Sequence, residues 1–236
     1  MLTCLVACDA DSLPEYRGHL NTNDVIVISA GGRSVRVVRE TVIEARKLYP
    51  GLRVYLSCGP KRVGEMSTIP QVDCVMIDWE ASSVEAMGEV WTWDWTATLG
   101  KIGAISTPVR GRYGLLITAA PLANRALIRQ GVAWRYDMFT EMAACAVVLQ
   151  TQGLIRRGTF PSALIALVAQ HGGKKDKLAR LGFEVSFGEE AANKISPSLA
   201  VKATRVALET GISQVYLFGM NVPANLRYLR LVEGLR

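Results

Sequence analysis

The segment ISPSLAVKATRVALETGISQVYLFGMN, residues 195–221, contains the signals of one helix followed by one strand. Ser196 is a preferred residue type for a helix N-cap, and Pro197 is favoured at the first helical position. Gly211 is typical of a helix end, and the apolar run 215–218 predicts a buried strand. The helix has apolar residues on one face: Leu199, Ala203, Val206 and Ala207. We therefore predict a helix–turn–strand unit of an α/β fold.

The rest of the chain repeats this alternation. Short apolar runs bounded by Gly, Pro or Asp predict strands at residues 2–7, 24–29, 53–58, 72–78, 113–118, 183–187 and 214–218. Helical patterns cover residues 35–48, 121–130, 134–150, 174–181, 197–210 and 223–234. Alternating strands and helices are typical of parallel sheets. We therefore predict a single α/β domain over residues 1–236, an open sheet of six or seven mostly parallel strands with helices on both faces.

Composition places the chain among ordinary globular proteins. It has 236 residues, half of them hydrophobic and a fifth charged. The five cysteines show no CxxC spacing, so we expect reduced thiols in a cytoplasmic protein rather than disulfides or structural zinc. Residues 1–7 run directly into Asp9 and Asp11, which favours a first strand over a signal peptide. Because the sequence has no run of about 18 apolar residues, we expect no membrane span.

Positive charge is concentrated in residues 33–62. This segment holds eight Lys and Arg side chains against Glu40 and Glu44, and its excess equals the net charge of +6 of the whole chain. Local positive potential favours a nucleotide or nucleic acid as ligand. A solvated helix face is the alternative. Motifs of known nucleic-acid-binding domains do not accompany the charge.

Polar and glycine residues follow several predicted strands. In an open α/β sheet, ligands bind beyond the carboxyl ends of the strands. Backbone amides at a glycine-rich helix entry bind phosphate, and nearby cations add charge-assisted hydrogen bonds. A plain turn is the alternative, because neither GxxxxGK[ST] nor GxGxxG is present. The candidate ligand-binding residues of this edge are Asp11, Ser12, Gly31, Gly32, Arg33, Lys61, Gly219 and Asn221.

Candidate catalytic groups are few. Asp78 and Glu80 are two residues apart at a predicted strand end, so their carboxylates would point to one side if the strand continues. Such a pair suits a divalent cation beside a diphosphate, or a general base; a solvated turn is the alternative. His171 precedes a Gly-Gly-Lys-Lys run and is either a general acid or base or a histidine at a helix end without a catalytic role. The absence of GxSxG argues against covalent serine chemistry.

Residues 81–112 interrupt the alternation and predict an insertion or a mobile loop. Trp91, Trp93 and Trp95 alternate there; a strand would place all three on one face, whereas a helix would pair Trp91 with Trp95. Such a face stacks on a sugar or a base, or else it belongs to the core or to an oligomer contact.

Two segments resemble the family of bacterial sialyltransferases and the related 6-hydroxymethylpterin pyrophosphokinase-like (DUF115-type) proteins. The first, LVACDADSLPEYRGHLNTNDVIVIS at residues 5–29, matches the end of the family's Gly-x-Gly-Pro-Ser-Leu loop at Ser12 and Leu13. The second is the unit at residues 196–221, where the matching residues are Ser196, Ser198, Gly211 and Gly219, and Asn221 replaces an Asp. The departures are at Cys8, Ala10 and Asp11, which stand where the family has Gly, Gly and Pro.

The resemblance implies a Rossmann-like fold and transfer from a nucleotide-activated donor, with Ser198 joining the nucleotide-binding residues. Our leading hypothesis is therefore a nucleotide-dependent transferase, a glycosyltransferase above all, with Asp78 or His171 as base and a divalent cation at Asp78 and Glu80. One alternative is a nucleic-acid-binding or accessory protein that uses the basic segment 33–62. The other is an assembly subunit with a degenerate nucleotide fold that contacts its partners through Trp91, Trp93 and Trp95.

Overall fold

The computed structural model of the protein describes residues 1–79, 95–109, 111–119, 122, 135–187, 195–219 and 221–236. Its strands are β1 (Thr3–Cys8), β2 (Val25–Ser29), β3 (Arg53–Cys58), β4 (Cys74–Trp79), β5 (Tyr113–Thr118), β6 (Val147–Gln150), β7 (Leu181–Ser186) and β8 (Gln214–Phe218). The α-helices of the described residues are α1 (Val35–Leu48), α2 (Val63–Met66), α3 (Trp95–Ile105), α4 (Tyr136–Met142), α5 (Gln152–Arg156), α6 (Phe160–Gln170), α7 (Lys175–Leu178), α8 (Pro197–Glu209) and α9 (Val222–Leu231).

The eight strands form one closed, fully parallel barrel. Each strand pairs with the next along the chain, and β8 pairs with β1, where Leu5 lies opposite Tyr216. With helices in the connections, this is the architecture of a (β/α)8, or TIM, barrel. The α/β class and the parallel pairing predicted above are present. The predicted open, Rossmann-like sheet is wrong, because the closure leaves no sheet edge.

The error arises because the sequence analysis missed one strand, β6. Residues 134–150 were predicted as one helix, but the chain forms α4 and then the separate strand β6. No Gly or Pro marks the break between them, and Ala143 to Ala146 continue the apolar pattern. Ala143 adopts an extended backbone conformation with φ −75° and ψ 133°, and this ends the helix. A periodicity argument therefore reads two elements as one.

The barrel also corrects the predicted placement of helices on both faces. Successive strand residues alternate between the lumen and the outer layer, and the outer layer packs under the helices. The lumen is filled instead by side chains of the strands themselves. Its buried apolar residues are Leu5, Ala7, Val25, Val27, Tyr55, Cys74, Met76, Leu116, Ala146, Val148 and Tyr216.

Local signals at helix ends act as the sequence predicts. Ser196 caps α8 by accepting a hydrogen bond from the backbone N–H of Leu199 at 3.2 Å, and Pro197 occupies the first turn. Ser34 caps α1 in the same way, with Val37 N–H as the donor at 3.4 Å. Each cap satisfies an amide that the helix leaves without a partner.

The predicted insertion at residues 81–112 is described only in its second half, which contains α3. Trp91 and Trp93 lie outside the described residues. Within the described part of the chain, no helix combines the length and the apolar character needed to cross a membrane.

We expect Gly114→Ala to lower the free energy of unfolding by about 1–3 kcal/mol through overpacking. A Cβ atom at Gly114 on β5 would lie 2.4 Å from the Sδ atom of Met76 and 2.8 Å from the backbone oxygen of Ala146. Urea denaturation measures the change. Gly100→Ala on α3, where no heavy atom lies within 4 Å of the new Cβ, is the control and should maintain or raise stability. A Gly114→Ala variant as stable as the wild type would contradict the lumen packing described here.

Candidate active site

A cleft of about 230 Å³ opens at the carboxyl ends of the strands. This end carries the active site in (β/α)8 enzymes. The cleft is bordered by strands β1 to β4 and β8 and by the loops that follow them. Its polar lining comprises the hydroxyl groups of Ser29, Ser57 and Tyr216 and the carboxylate of Asp78, with glycine backbone at Gly31, Gly59 and Gly219.

Asp78 reaches the cleft because of strand alternation. Cys74, Met76 and Asp78 lie on the same face of β4, and the first two belong to the lumen. Their neighbour Trp79 is buried in the outer layer. The predicted catalytic residue Asp78 is thus in the cleft, and Glu80, predicted to be its partner, lies outside the described residues.

A second carboxylate, that of Glu184 on β7, also occupies the lumen. Glu184 lies opposite Tyr216 of β8 in the strand register and is only 2% exposed. The side-chain amide of Gln152 donates a hydrogen bond to its Oε1 atom, and the Thr151 hydroxyl donates to its backbone oxygen at 3.0 Å. An amide donor of this kind stabilises a carboxylate that burial has removed from water.

Both carboxylates act on the pKa of Tyr216. Burial raises the pKa of its phenol well above the usual value, and the negative charges of Glu184 and Asp78 raise it further. A hydrogen bond with Ser57 acts in the opposite direction. The phenol therefore stays neutral at physiological pH, so the cleft lining keeps a group that can donate a hydrogen bond.

Sequence reasoning missed Glu184 and Tyr216. Both lie inside runs that were correctly recognised as strands, 183–187 and 214–218. For Glu184 the usable signal was a charged residue within an otherwise apolar strand, because such a residue is seldom buried without a partner or a function.

In the predicted phosphate-binding turn at residues 30–33, the arginine side chain binds other groups of the protein. Arg33 Nη2 lies 3.0 Å from Asp9 Oδ2, and its Nη1 donates to the Ser29 carbonyl at 2.9 Å. Burial alone would raise the pKa of Asp9, but hydrogen bonds from Ser12 and the charge of Arg33 lower it. From the other side, Arg62 Nη1 donates to the Gly31 carbonyl at 2.6 Å. Of this turn, only Gly31, with φ +41°, lines the cleft.

The remaining predicted ligand residues are spread out. Gly219, with φ +93°, lines the cleft near Asp78 and Gly31. Asn221 caps α9, with its Oδ1 atom accepting from Ala224 N–H at 3.2 Å. Ser12 is buried against Asp9, with its hydroxyl 2.7 Å from the carboxylate. The others are exposed and do not line the cleft: Asp11, Gly32, Lys61 and Ser198. Phosphate binding by this set stays a prediction.

His171 is not part of the cleft. It follows the last residue of α6, and its Nε2 atom lies 3.0 Å from the Thr140 hydroxyl on α4, while Nδ1 lies 2.7 Å from the Leu167 carbonyl. Helices of a (β/α)8 barrel run antiparallel to the strands, so the end of α6 lies toward the amino ends of the strands. Asp78 is at the opposite end. His171 therefore lies in the helical layer, away from the cleft.

Two further predictions were a divalent-cation site and a basic surface for nucleic acid. Among the described residues, no group of three or more His, Cys, Asp or Glu side chains is arranged to hold a metal ion. In the basic segment 33–62, at least five of the eight cations lie within 4.0 Å of a carboxylate: Arg33, Arg36, Arg46, Lys47 and Arg62. Such pairing reduces the charge that the segment offers to a nucleic acid.

Comparisons with known proteins identify the fold. No family model matches the chain, and no curated protein matches its sequence. The glycoside hydrolase domain of PgaB (BpsB) from Bordetella bronchiseptica superposes with a TM-score of 0.64 at 10% identity, over 98% of this chain and 97% of that one. The catalytic domain of a chitinase from Pyrococcus furiosus gives 0.56 at 11% identity, covering 92% and 83% of the two chains. Dihydropteroate synthase (FolP) from Thermus thermophilus gives 0.51 at 13% identity, covering 99% and 93%.

These likenesses show a shared barrel and nothing finer, and they overturn the resemblance to sialyltransferases and DUF115-type proteins. That resemblance is wrong. Ser196 and Gly211 match the family because they are a helix N-cap and a residue with φ +91° after a helix, features that helices of any fold share.

We expect His171 to make stability depend on pH. Burial lowers the pKa of folded His171 below its ordinary value of 6.5. When the pH falls below that value, the unfolded chain takes up a proton that the folded chain does not, so the free energy of unfolding decreases. His171→Gln should cost about 1–3 kcal/mol near neutral pH through a lost buried hydrogen bond. It should lose less stability than the wild type on acidification from about pH 7.5 to about pH 5.

Urea titrations across this range measure both effects. His19→Gln, the same substitution outside the contact between α4 and α6, is the matched control and should follow the wild type. Equal acid sensitivity in His171→Gln and in the wild type would contradict the assignment.

Proposed function

We propose that this chain is a glycosyl-handling enzyme that hydrolyses glycosidic bonds in the cleft at the carboxyl end of the barrel. The observation that carries the proposal is that Tyr216 has both carboxylates near it: Asp78 lines the same cleft, and Glu184 lies opposite Tyr216 in the strand register. Glycoside hydrolases use a pair of carboxyl groups that flank the scissile bond. Two of the similar structures are named a glycoside hydrolase domain and a chitinase, which agrees with this choice.

Asp78 is the carboxyl group that faces the sugar. It lines the cleft, whereas Glu184 is buried and is not among the residues that line the cleft. A general acid would protonate the oxygen of the leaving sugar, and a second carboxylate would stabilise the positive charge that develops on the ring or activate water. Tyr216, held neutral, would donate a hydrogen bond to a substrate oxygen. It would give up no proton.

The second carboxylate has two candidates. Glu184 lies opposite Tyr216 in the strand register, and Tyr216 lines the cleft together with Asp78. Glu80 follows Asp78 by two residues in the sequence and lies outside the described residues. Glu184→Gln and Glu80→Gln, compared one by one with Asp78→Asn, decide which of them works with Asp78.

We expect Asp78→Asn to lower kcat/KM by about 10²- to 10⁴-fold, because the amide cannot transfer a proton. The assay is the release of reducing ends from a panel of oligosaccharides that includes chito-oligosaccharides. Asp176→Asn, the same change at an exposed position on α7, is the matched control and should leave the rate unchanged. Hydrolysis at equal rates by wild type and Asp78→Asn, or no hydrolysis of any oligosaccharide in the panel, would defeat the proposal.

Transfer of a glycosyl group from a nucleotide-activated donor is the second candidate function, and it comes from the sequence analysis. Gly31 and Gly219 favour it, since they let a ligand approach the backbone of the cleft. Because Asp9 already neutralises Arg33, we expect nucleoside diphosphates, CMP-sugars and ATP not to raise the melting temperature. The transferase would instead be supported if one of these ligands stabilised the protein and Arg33→Ala bound that ligand about tenfold more weakly. A tenfold loss corresponds to a lost charge-assisted hydrogen bond of about 1.5 kcal/mol. A cytoplasmic location remains part of the proposal and agrees with the five free cysteines.

A further inference from the structure

An exposed aromatic side chain forms part of the cleft wall. The protein has five phenylalanine residues, and four of them are buried, with at most 2% of each residue exposed: Phe139, Phe160, Phe183 and Phe187. The fifth, Phe218, is the last residue of β8; it is 43% exposed and lines the cleft. Because removing apolar area from water is favourable, a ligand that covers this ring gains free energy of binding.

Phe218 reaches the cleft by the same strand alternation that brings Tyr216 there. The two residues are two positions apart on β8, and their ring centroids lie 6.1 Å apart with 52° between the ring planes. Asp78 lines the same cleft from β4. The cleft therefore combines an exposed apolar ring with the carboxyl group that the proposed hydrolysis uses.

The remaining polar side chains of the lining are hydroxyl groups, those of Ser29, Ser57 and Tyr216. A hydroxyl group both donates and accepts hydrogen bonds, as the hydroxyl groups of a sugar do. A pyranose ring also has a face made of C–H groups, which carry a small positive charge and pack on the negative face of an aromatic ring. An aromatic ring beside several hydroxyl groups thus matches both kinds of surface that a pyranose presents.

The charge of the cleft narrows the class of sugar. Its described lining contains no Lys, Arg or His side chain. Two arginines contact the turn that carries Gly31, but each is paired with a carboxylate: Arg33 lies 3.0 Å from Asp9, and Arg62 lies 3.0 Å from Glu65. A carboxylate, sulfate or phosphate on the ligand would lose its water in the cleft without gaining a positive partner from this lining. The lining therefore favours an uncharged ligand.

We propose that the sugar bound in this cleft is an uncharged pyranose whose C–H face packs on the ring of Phe218, and that uronic acids and sulfated or phosphorylated sugars are excluded. The inference rests on the proposed function, because it names the substrate class of the same cleft. Phe218 is a binding residue in this arrangement, and Asp78 remains the residue that acts on the glycosidic bond.

Ligand-observed NMR titrations test binding without requiring turnover. The probes are the methyl glycosides of glucose, galactose and mannose. Each is compared with the methyl glycoside of its uronic acid, which has a carboxylate in place of the hydroxymethyl group. We expect at least one neutral glycoside to bind the wild-type protein. Its uronic acid counterpart should bind about tenfold more weakly or not at all, because its charge is left unpaired.

Variants of Phe218 test the stacking contact. Phe218→Ala should bind the neutral glycoside about tenfold more weakly, the scale of one lost aromatic contact, whereas Phe218→Trp should keep the affinity. Phe218→Leu keeps an apolar side chain without the flat ring, and it decides the point if Phe218→Ala does not fold. Ile165→Ala, at an exposed position on α6 that does not line the cleft, is the control and should bind as the wild type does.

The substrate class and the hydrolase can fail separately. The inference is wrong if no neutral glycoside binds, if a uronic acid glycoside binds as tightly as its neutral counterpart, or if the folded Phe218→Ala or Phe218→Leu variant binds as the wild type does. Binding that needs Phe218 without hydrolysis of any oligosaccharide would defeat the hydrolase and leave the substrate class in place. Hydrolysis of oligosaccharides with unchanged affinity in Phe218→Ala would do the reverse.

Discussion

The hydrogen bonding of β8 to β1 is the constraint on which the rest of the structure depends. It closes a parallel sheet on itself, so that no strand has a free edge and every strand has one side chain set in the lumen and one under the helices. The lumen must then be filled by the chain itself. Apolar side chains such as Leu5 and Val148 fill it.

One strand shows how this geometry distributes chemistry. Cys74, Met76 and Asp78 of β4 share a face, so the same strand brings a thiol to one end of the lumen and a carboxylate to the other. Low polarity inside the barrel strengthens the electrostatic effects at both ends. At the carboxyl end burial and the charges of Glu184 and Asp78 raise the pKa of Tyr216 and keep it protonated. At the amino end burial raises the pKa of the Cys74 thiol.

Two arginines of the basic segment hold loops in place. Arg33 joins the ends of β1 and β2 through Asp9 and the Ser29 carbonyl, and Arg62 holds the Gly31 carbonyl from the β3 side. Two arginines therefore stabilise the rim of the cleft, and one of them, Arg33, is a residue that the sequence offers as a ligand for phosphate. The barrel is shared with chains in which about a tenth of the residues are identical.

The sequence by itself determined what depends on near neighbours. Strands 53–58, 113–118 and 214–218 and helix 35–48 have the predicted bounds, because apolar periodicity and Ser caps act within a few residues. Only the tertiary structure decided the closure, the separation of β6 from α4, the meeting of Asp78 with Glu184 and Tyr216, and the capture of Arg33 by Asp9. These contacts join residues far apart in the chain. They arise from strand register and from burial, and a local pattern carries no information about which distant strand will supply the partner.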